Sequence, residues 1–189
     1  MDVINMNLPN KISIMRACMI PVIVVLLYIH TSFTRALALI FFIIACLSDF
    51  VDGYYARKHN LITDFGKFID PVADKLLVIS TMLMLVELRE LSALVVIIVI
   101  IRELSVDGLR LAAMTSKSKK VISASSLGKA KTTFQMIAVA LYLAAPLGIN
   151  IVNKVFMALA VIFTLISGVD YFIKNKNLLV NKKTSAKTK

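Results

Sequence analysis

Residues 49–74 read DFVDGYYARKHNLITDFGKFIDPVAD, between the uncharged apolar runs 36–48 and 76–86. Asp49, Asp52, Gly53 and Ala56 fall at i, i+3, i+4 and i+7, and Gly66, Asp70 and Asp74 at i, i+4 and i+8. On a helix each set forms a single stripe, in which small residues sit beside carboxylates. The fold therefore turns on why four aspartates recur where the flanking sequence is oil-like.

The flanking sequence is oil-like throughout. The chain of 189 residues is 59% hydrophobic, with a mean hydropathy of +0.84, above the roughly 45–50% apolar content of soluble domains. This composition predicts an all-α integral membrane protein and excludes a soluble domain with a single anchor, because apolar segments recur along the whole length. Six spans are expected near 12–28, 36–56, 67–86, 91–114, 132–146 and 151–173, with residues 1–173 forming one transmembrane domain and 174–189 a basic tail.

Six spans place both termini on the same side. Lys11, Arg16, the 57–67 connection, the connection carrying Lys117 to Lys131 and the lysine-rich tail share that side, whereas Arg35, Arg89 and Lys154 lie opposite. By the positive-inside rule the termini are cytoplasmic, in a multi-pass protein of the cell membrane. The net charge of +11 is distributed over these loops and the tail, so membrane lipid head groups rather than nucleic acid are the expected acidic partner. Cys18 and Cys46 lie in apolar runs without metal-ligand spacing and read as packing residues. His30 and His59 read as solvated or packed.

The uncharged runs 36–48, 76–86 and 91–101 are too short to cross a hydrocarbon core of roughly 30 Å, which needs about 20 helical residues. The second, third and fourth helices must therefore extend into their charged ends, which all lie on the cytoplasmic side. Glu103, Asp107 and Arg110 form a third stripe there. An ionised carboxylate facing lipid costs about 2.5–3.5 kcal/mol even on the lenient insertion scale, so the acids are expected to face an internal cavity. Pairing with Lys75, Arg102 or Arg110 would make them packing devices. Four oxygen-only ligands without nearby His or Cys instead suit two hard cations, Mg²⁺ or Mn²⁺, about 4 Å apart around a phosphoryl group. Gly53, Ala56 and Gly66 would admit a flat base and a pyrophosphate, or simply permit close helix packing, and Arg57 would supply a bidentate phosphate donor.

The same stretch resembles the signature of the CDP-alcohol phosphatidyltransferases, D-x2-D-G-x2-A-R, eight or nine residues, then G-x3-D-x3-D. All eight fixed positions match, with eight residues between Arg57 and Gly66. The resemblance implies transfer of a phosphatidyl group from CDP-diacylglycerol to an alcohol, with release of CMP. It implies Asp49, Asp52, Asp70 and Asp74 around two divalent ions, with Asp74 as general base and Asp52, Gly53, Ala56 and Gly66 lining the cytidine pocket. It also implies a homodimer. The segment NLPNKISIMR at 7–16 is similar to the family's opening motif and places Asn10 and Arg16 at the membrane surface near the donor's phosphates.

The acceptor must be read elsewhere. RELSVDGLR at 102–110 and LGKAKT at 127–132 offer Arg110, Lys129 and Lys131 as cations for an acceptor that is itself a phosphate ester. Positive-inside anchoring is the alternative for the two lysines. These stretches resemble the bacterial phosphatidylglycerophosphate synthases of the family, which implies sn-glycerol 3-phosphate as acceptor. Phosphatidylglycerol, the acceptor of a cardiolipin synthase, is the alternative within the family, and a divalent-cation transporter is the alternative from another class. One acidic cluster without a Ser, Cys or His nucleophile predicts direct displacement.

Overall fold

The computed structural model describes residues 8–58, 64–115, 126–145 and 150–175. Six helices occupy them: α1 (Leu8–Tyr28), α2 (Ser32–Lys58), α3 (Asp64–Glu87), α4 (Ala93–Thr115), α5 (Ser126–Leu143) and α6 (Asn150–Lys174). Apart from short turns, the described residues are helical throughout. The helices have 18 to 27 residues, or about 27–40 Å at 1.5 Å per residue. Lys11–Tyr28 and Ile151–Lys174 are long and apolar enough to cross a membrane. The fold is that of an all-helical bundle, consistent with a membrane protein. The tail beyond Asn175 and the connections carrying His59 and Lys117 to Lys120 lie outside the described residues.

Local chemistry sets the helix ends on one side of the bundle. Thr31 caps α2: its Oγ1 accepts the Thr34 N–H at 3.1 Å, one of the donors that a helix start leaves unpaired. Ser92 caps α4 in the same way, accepting the Leu94 N–H at 3.3 Å. At the end of α3, Arg89 takes a positive φ of 57° while Glu90 N–H donates to Leu85 O at 3.0 Å and Arg89 N–H to Val86 O at 2.9 Å. That bond pattern is a Schellman stop, built here without the usual glycine. Leu91, buried, then folds back beside the end of α3 instead of opening α4, which is why α4 begins at Ala93 rather than at 91.

The core explains the bundle order. Ile23 and Leu27 of α1, Phe42 of α2, Leu77, Met82 and Leu85 of α3, Val96 and Val99 of α4, Val139 and Leu143 of α5 and Met157 of α6 are all nearly inaccessible. Helix α1 packs against both α2 and α3, which also touch each other; α5 packs on α6, α2 and α3; and α4 bridges α3 and α6. Phe134 stacks on Phe163 with ring centroids 4.9 Å apart, joining α5 to α6. The hydroxyls of Thr81 and Thr164 donate back to carbonyls one turn earlier, at 2.8 and 2.6 Å, so they are buried without unmet bonds. Large apolar side chains, among them Ile151, Val155, Ile162, Leu165 and Val169 of α6, cover the outside.

Helix α5 starts at Ser126, not at the expected 132, so Lys129 and Lys131 stand on the helix and not in the connection before it. Leu127, Lys129, Ala130 and Lys131 are good helix formers, and the charge of Lys131 is met inside the bundle, which removes the reason to end the helix outside it.

Candidate functional site

Alternating helix directions gather the N-terminal parts of α1, α3 and α5 with the C-terminal parts of α2, α4 and α6. Both halves of the aspartate pattern lie at this end, Asp49 and Asp52 on α2 and Asp70 and Asp74 on α3. The side chains of Asn10, Asp49, Asp52, Gly53, Ala56, Arg57 and Gly66 lie outside what the structure describes. Their helices are described, and α2 touches α3.

Asp70 and Asp74 sit one turn apart on α3, both half-buried. Asp70 Oδ1 accepts a hydrogen bond from the Ser13 hydroxyl of α1. Ser13 is 1% exposed, and Arg16, one turn further along α1, is wholly buried. Arg16 is thus enclosed by the neighbouring helices. Among the described residues no group of three or more His, Cys, Asp or Glu side chains converges. The donors that α3 contributes are carboxylate oxygens, the ligand chemistry of a hard divalent cation.

Beside this face lies a charged cluster that links four helices. Glu103 of α4 and Lys131 of α5 form an ion pair, 6% and 4% exposed respectively. Arg102 Nη1 stands 3.1 Å from the same Glu103 oxygen, and Lys75 Nζ of α3 stands 3.9 Å from the other. Lys75 also pairs with Asp107 one turn along α4. Arg102 Nη2 donates to Ser167 Oγ of α6 at 3.0 Å, and its stem passes over Gly168, where a Cβ would lie 3.3 Å from Arg102 Cγ. Asp74 lies within electrostatic reach of Lys131, which ties the cluster to the aspartate face.

The three expected acceptor cations thus occupy different settings. Lys131 is buried and paired, whereas Lys129 is exposed. Arg110 is half-buried: its Nε donates to the Tyr171 hydroxyl at 3.3 Å and its guanidinium lies 5.6 Å from that ring's centroid. Lys75, available on sequence grounds to the aspartates, is directed to α4 instead. Ser13, the Glu103–Lys131 pair, Gly168 and Tyr171 carried no signal in sequence spacing, since each joins residues 28 or more positions apart.

The opposite end of the bundle also contains charge. Arg35 of α2 pairs with Glu90, and its Nε donates to Leu143 O at 3.0 Å. A cavity of about 140 Å³ lined by Leu27, His30, Thr31, Ser32, Arg35 and Leu88 opens there. It lies about 20 Å from Asp74, counted along α3 at 1.5 Å per residue, and its guanidinium is committed to structure.

Residues 6–166 match the family described as CDP-alcohol phosphatidyltransferase. A Bacillus subtilis (strain 168) protein named CDP-diacylglycerol--glycerol-3-phosphate 3-phosphatidyltransferase is 42% identical over 185 residues, covering 89% of this chain and 95% of the relative. A Rickettsia prowazekii (strain Madrid E) protein of the same name is 38% identical over 174 residues, with the same coverage. One from Wigglesworthia glossinidia brevipalpis, again so named, is 33% identical over 136 residues, covering 71% of this chain and 75% of its own length. With the aspartate pattern on two touching helices and similarity across most of the sequence, the chain belongs to the CDP-alcohol phosphatidyltransferase family.

Proposed function

We propose that this protein transfers the phosphatidyl group of CDP-diacylglycerol to sn-glycerol 3-phosphate, giving phosphatidylglycerophosphate and CMP in phospholipid biosynthesis. The observation that carries this reading is the extent of the similarity: residues 6–166 match the family, including the 49–74 signature, and the named relatives extend over the 102–132 segment as well. The relatives named for this reaction cover 89% of the chain.

The chemistry follows from the residues. Asp49, Asp52, Asp70 and Asp74 would hold two divalent cations, Mg²⁺ or Mn²⁺, and the all-oxygen donors of α3 fit that group. When bound, such ions neutralise the carboxylates and the charge of the transferring phosphate. Asp74 takes the proton from the primary hydroxyl of the acceptor, whose oxygen attacks the phosphorus bearing diacylglycerol. The bond from that phosphorus to the CMP oxygen breaks, and CMP leaves. Asp52, Gly53, Ala56, Gly66 and Asn10 hold the cytidine and pyrophosphate, and Arg57 clamps the phosphate. Arg110, Lys129 and Lys131 receive the acceptor's phosphate.

With six helices spanning a cell membrane, residues 1–173 as one domain, a basic 174–189 tail and both termini cytoplasmic, this site faces the side from which the water-soluble acceptor arrives and to which CMP departs. Helix lengths of about 27–40 Å and the apolar exterior support that placement. The working unit is a homodimer.

The test uses purified full-length protein in detergent with CDP-diacylglycerol and Mg²⁺, following CMP release. Release that requires sn-glycerol 3-phosphate and is abolished by EDTA and by Asp74→Asn supports the assignment. Release only with phosphatidylglycerol would make it a cardiolipin synthase. No release with either acceptor overturns the assignment of the acceptor and directs the assay to other alcohols, and then to divalent-cation transport.

A further inference from the structure

A single buried carboxylate, Glu103, faces three cations from three helices: Lys131, Arg102 and Lys75. Asp107 meets only the last of these. The five groups carry three positive and two negative charges, and the carboxylate of Asp74, which also acts on Lys131, brings the count to balance. A buried pair of this kind is weak evidence for stability, because desolvating both ions offsets much of their attraction. Its geometry has another consequence. Lysine carries a long, flexible stem and three rotatable donors, so a lysine left without a carboxylate has many places to put its ammonium. Glu103 fixes the head of Lys131 at a defined depth, and because the same oxygen also faces Arg102, the two cations are held around a common point. The two cations can then meet an anion without either having to be ordered when that anion arrives.

We infer that Glu103 is a positioning residue for the acceptor: it holds Lys131 so that the ammonium meets the phosphate of sn-glycerol 3-phosphate, an inference that rests on the proposed acceptor reading of Lys131. Glu103 touches neither substrate; it acts through the lysine. Removing its charge leaves the donor site on α2 and the start of α3 as it was, so the defect falls on one substrate and not on both.

Three variants of the full-length protein in detergent test this, Glu103→Gln, Lys131→Met and the double variant, with KM measured separately for sn-glycerol 3-phosphate and for CDP-diacylglycerol and folding followed by thermal unfolding. Glu103→Gln and Lys131→Met each raise KM for sn-glycerol 3-phosphate about tenfold, the scale of one charge-assisted hydrogen bond, with KM for CDP-diacylglycerol within about twofold of the parent. The double variant is no worse than Lys131→Met alone, since the glutamate acts only through the lysine. Should Glu103→Gln fail to fold, Glu103→Asp carries the same comparison, with a smaller rise in the same KM. Equal rises in both KM values, or a fall in melting temperature with both KM values unchanged, would show Glu103 to be structural and overturn the inference. If Lys131→Met itself leaves KM for sn-glycerol 3-phosphate unchanged, the acceptor reading of Lys131 fails first.

Discussion

The two ends of the bundle solve the same problem, charge among apolar helices, in opposite ways. At the end carrying Thr31, Arg89 and Glu90, one guanidinium meets one carboxylate, and Arg35 spends its remaining donors on α5 carbonyls, with Nε 3.0 Å from Leu143 O. The helix stops beside this pair are completed by their own backbone and side-chain bonds. At the other end one buried carboxylate, Glu103, serves three cations, and Asp70 accepts a bond from Ser13. A one-to-one pair at a helix end fastens two elements together; one carboxylate shared among three cations instead gathers cationic donors around a point. This contrast teaches that the two ends differ less in how much charge they hold than in how that charge is matched.

Substitutions at the two ends should separate along this line, and the largest effect belongs to the acid face. Asp74→Asn is expected to lower CMP formation by about 10²–10⁴-fold, the usual contribution of a general base, while the melting temperature in detergent stays close to that of the parent. A variant retaining more than about a tenth of the activity would remove Asp74 from that role.

Next comes the buried pair. Glu103→Leu leaves Lys131 uncompensated at 4% exposure and should cost about 3–5 kcal/mol, read as a lower unfolding temperature. Glu103→Leu combined with Lys131→Leu should recover much of that loss, because two apolar side chains need no partner. A single variant as stable as the parent would show that the lysine finds another partner, and would weaken the contrast.

The opposite end should respond in stability alone. Glu90→Gln is expected to cost no more than about 1 kcal/mol, since its partly exposed pair with Arg35 is screened, and to leave both KM values where they were. A change in either KM would mean that the two ends are coupled through α3. The smallest expected effect is a gain: Arg89→Gly relieves a positive φ of 57° that a side chain adopts at some cost, and should add about 0.5 kcal/mol after the extra entropy of glycine is counted.

Helix number and type were open to sequence reading because apolar runs of membrane length repeat between charged connections. The α2 and α3 stripes were equally open, since Asp49 with Asp52 and Asp70 with Asp74 follow a local three- or four-residue rule. Helix starts were less so. The fifth helix begins at Ser126, ahead of its apolar run, because its charge is met by a residue on a different helix. Lys131 shows the limit most plainly: in sequence it reads as an acceptor cation or a membrane anchor alike with Lys129, and only in the bundle is it 4% exposed against Glu103. Arg16 likewise reads as an interfacial cation and lies wholly buried.

By itself the sequence determined the apolar six-helix bundle and the aspartate pattern that places the chain in its family, because hydropathy and helical spacing are properties of neighbours along the chain. Only the tertiary structure decided which cation meets which acid. It directed Lys75 to Asp107, Lys131 to Glu103, Arg110 to Tyr171 and Ser13 to Asp70, pairings that span 28 to 61 residues. Such pairings depend on which helices touch and at what height, and that is fixed by packing of the whole core and not by any local stretch.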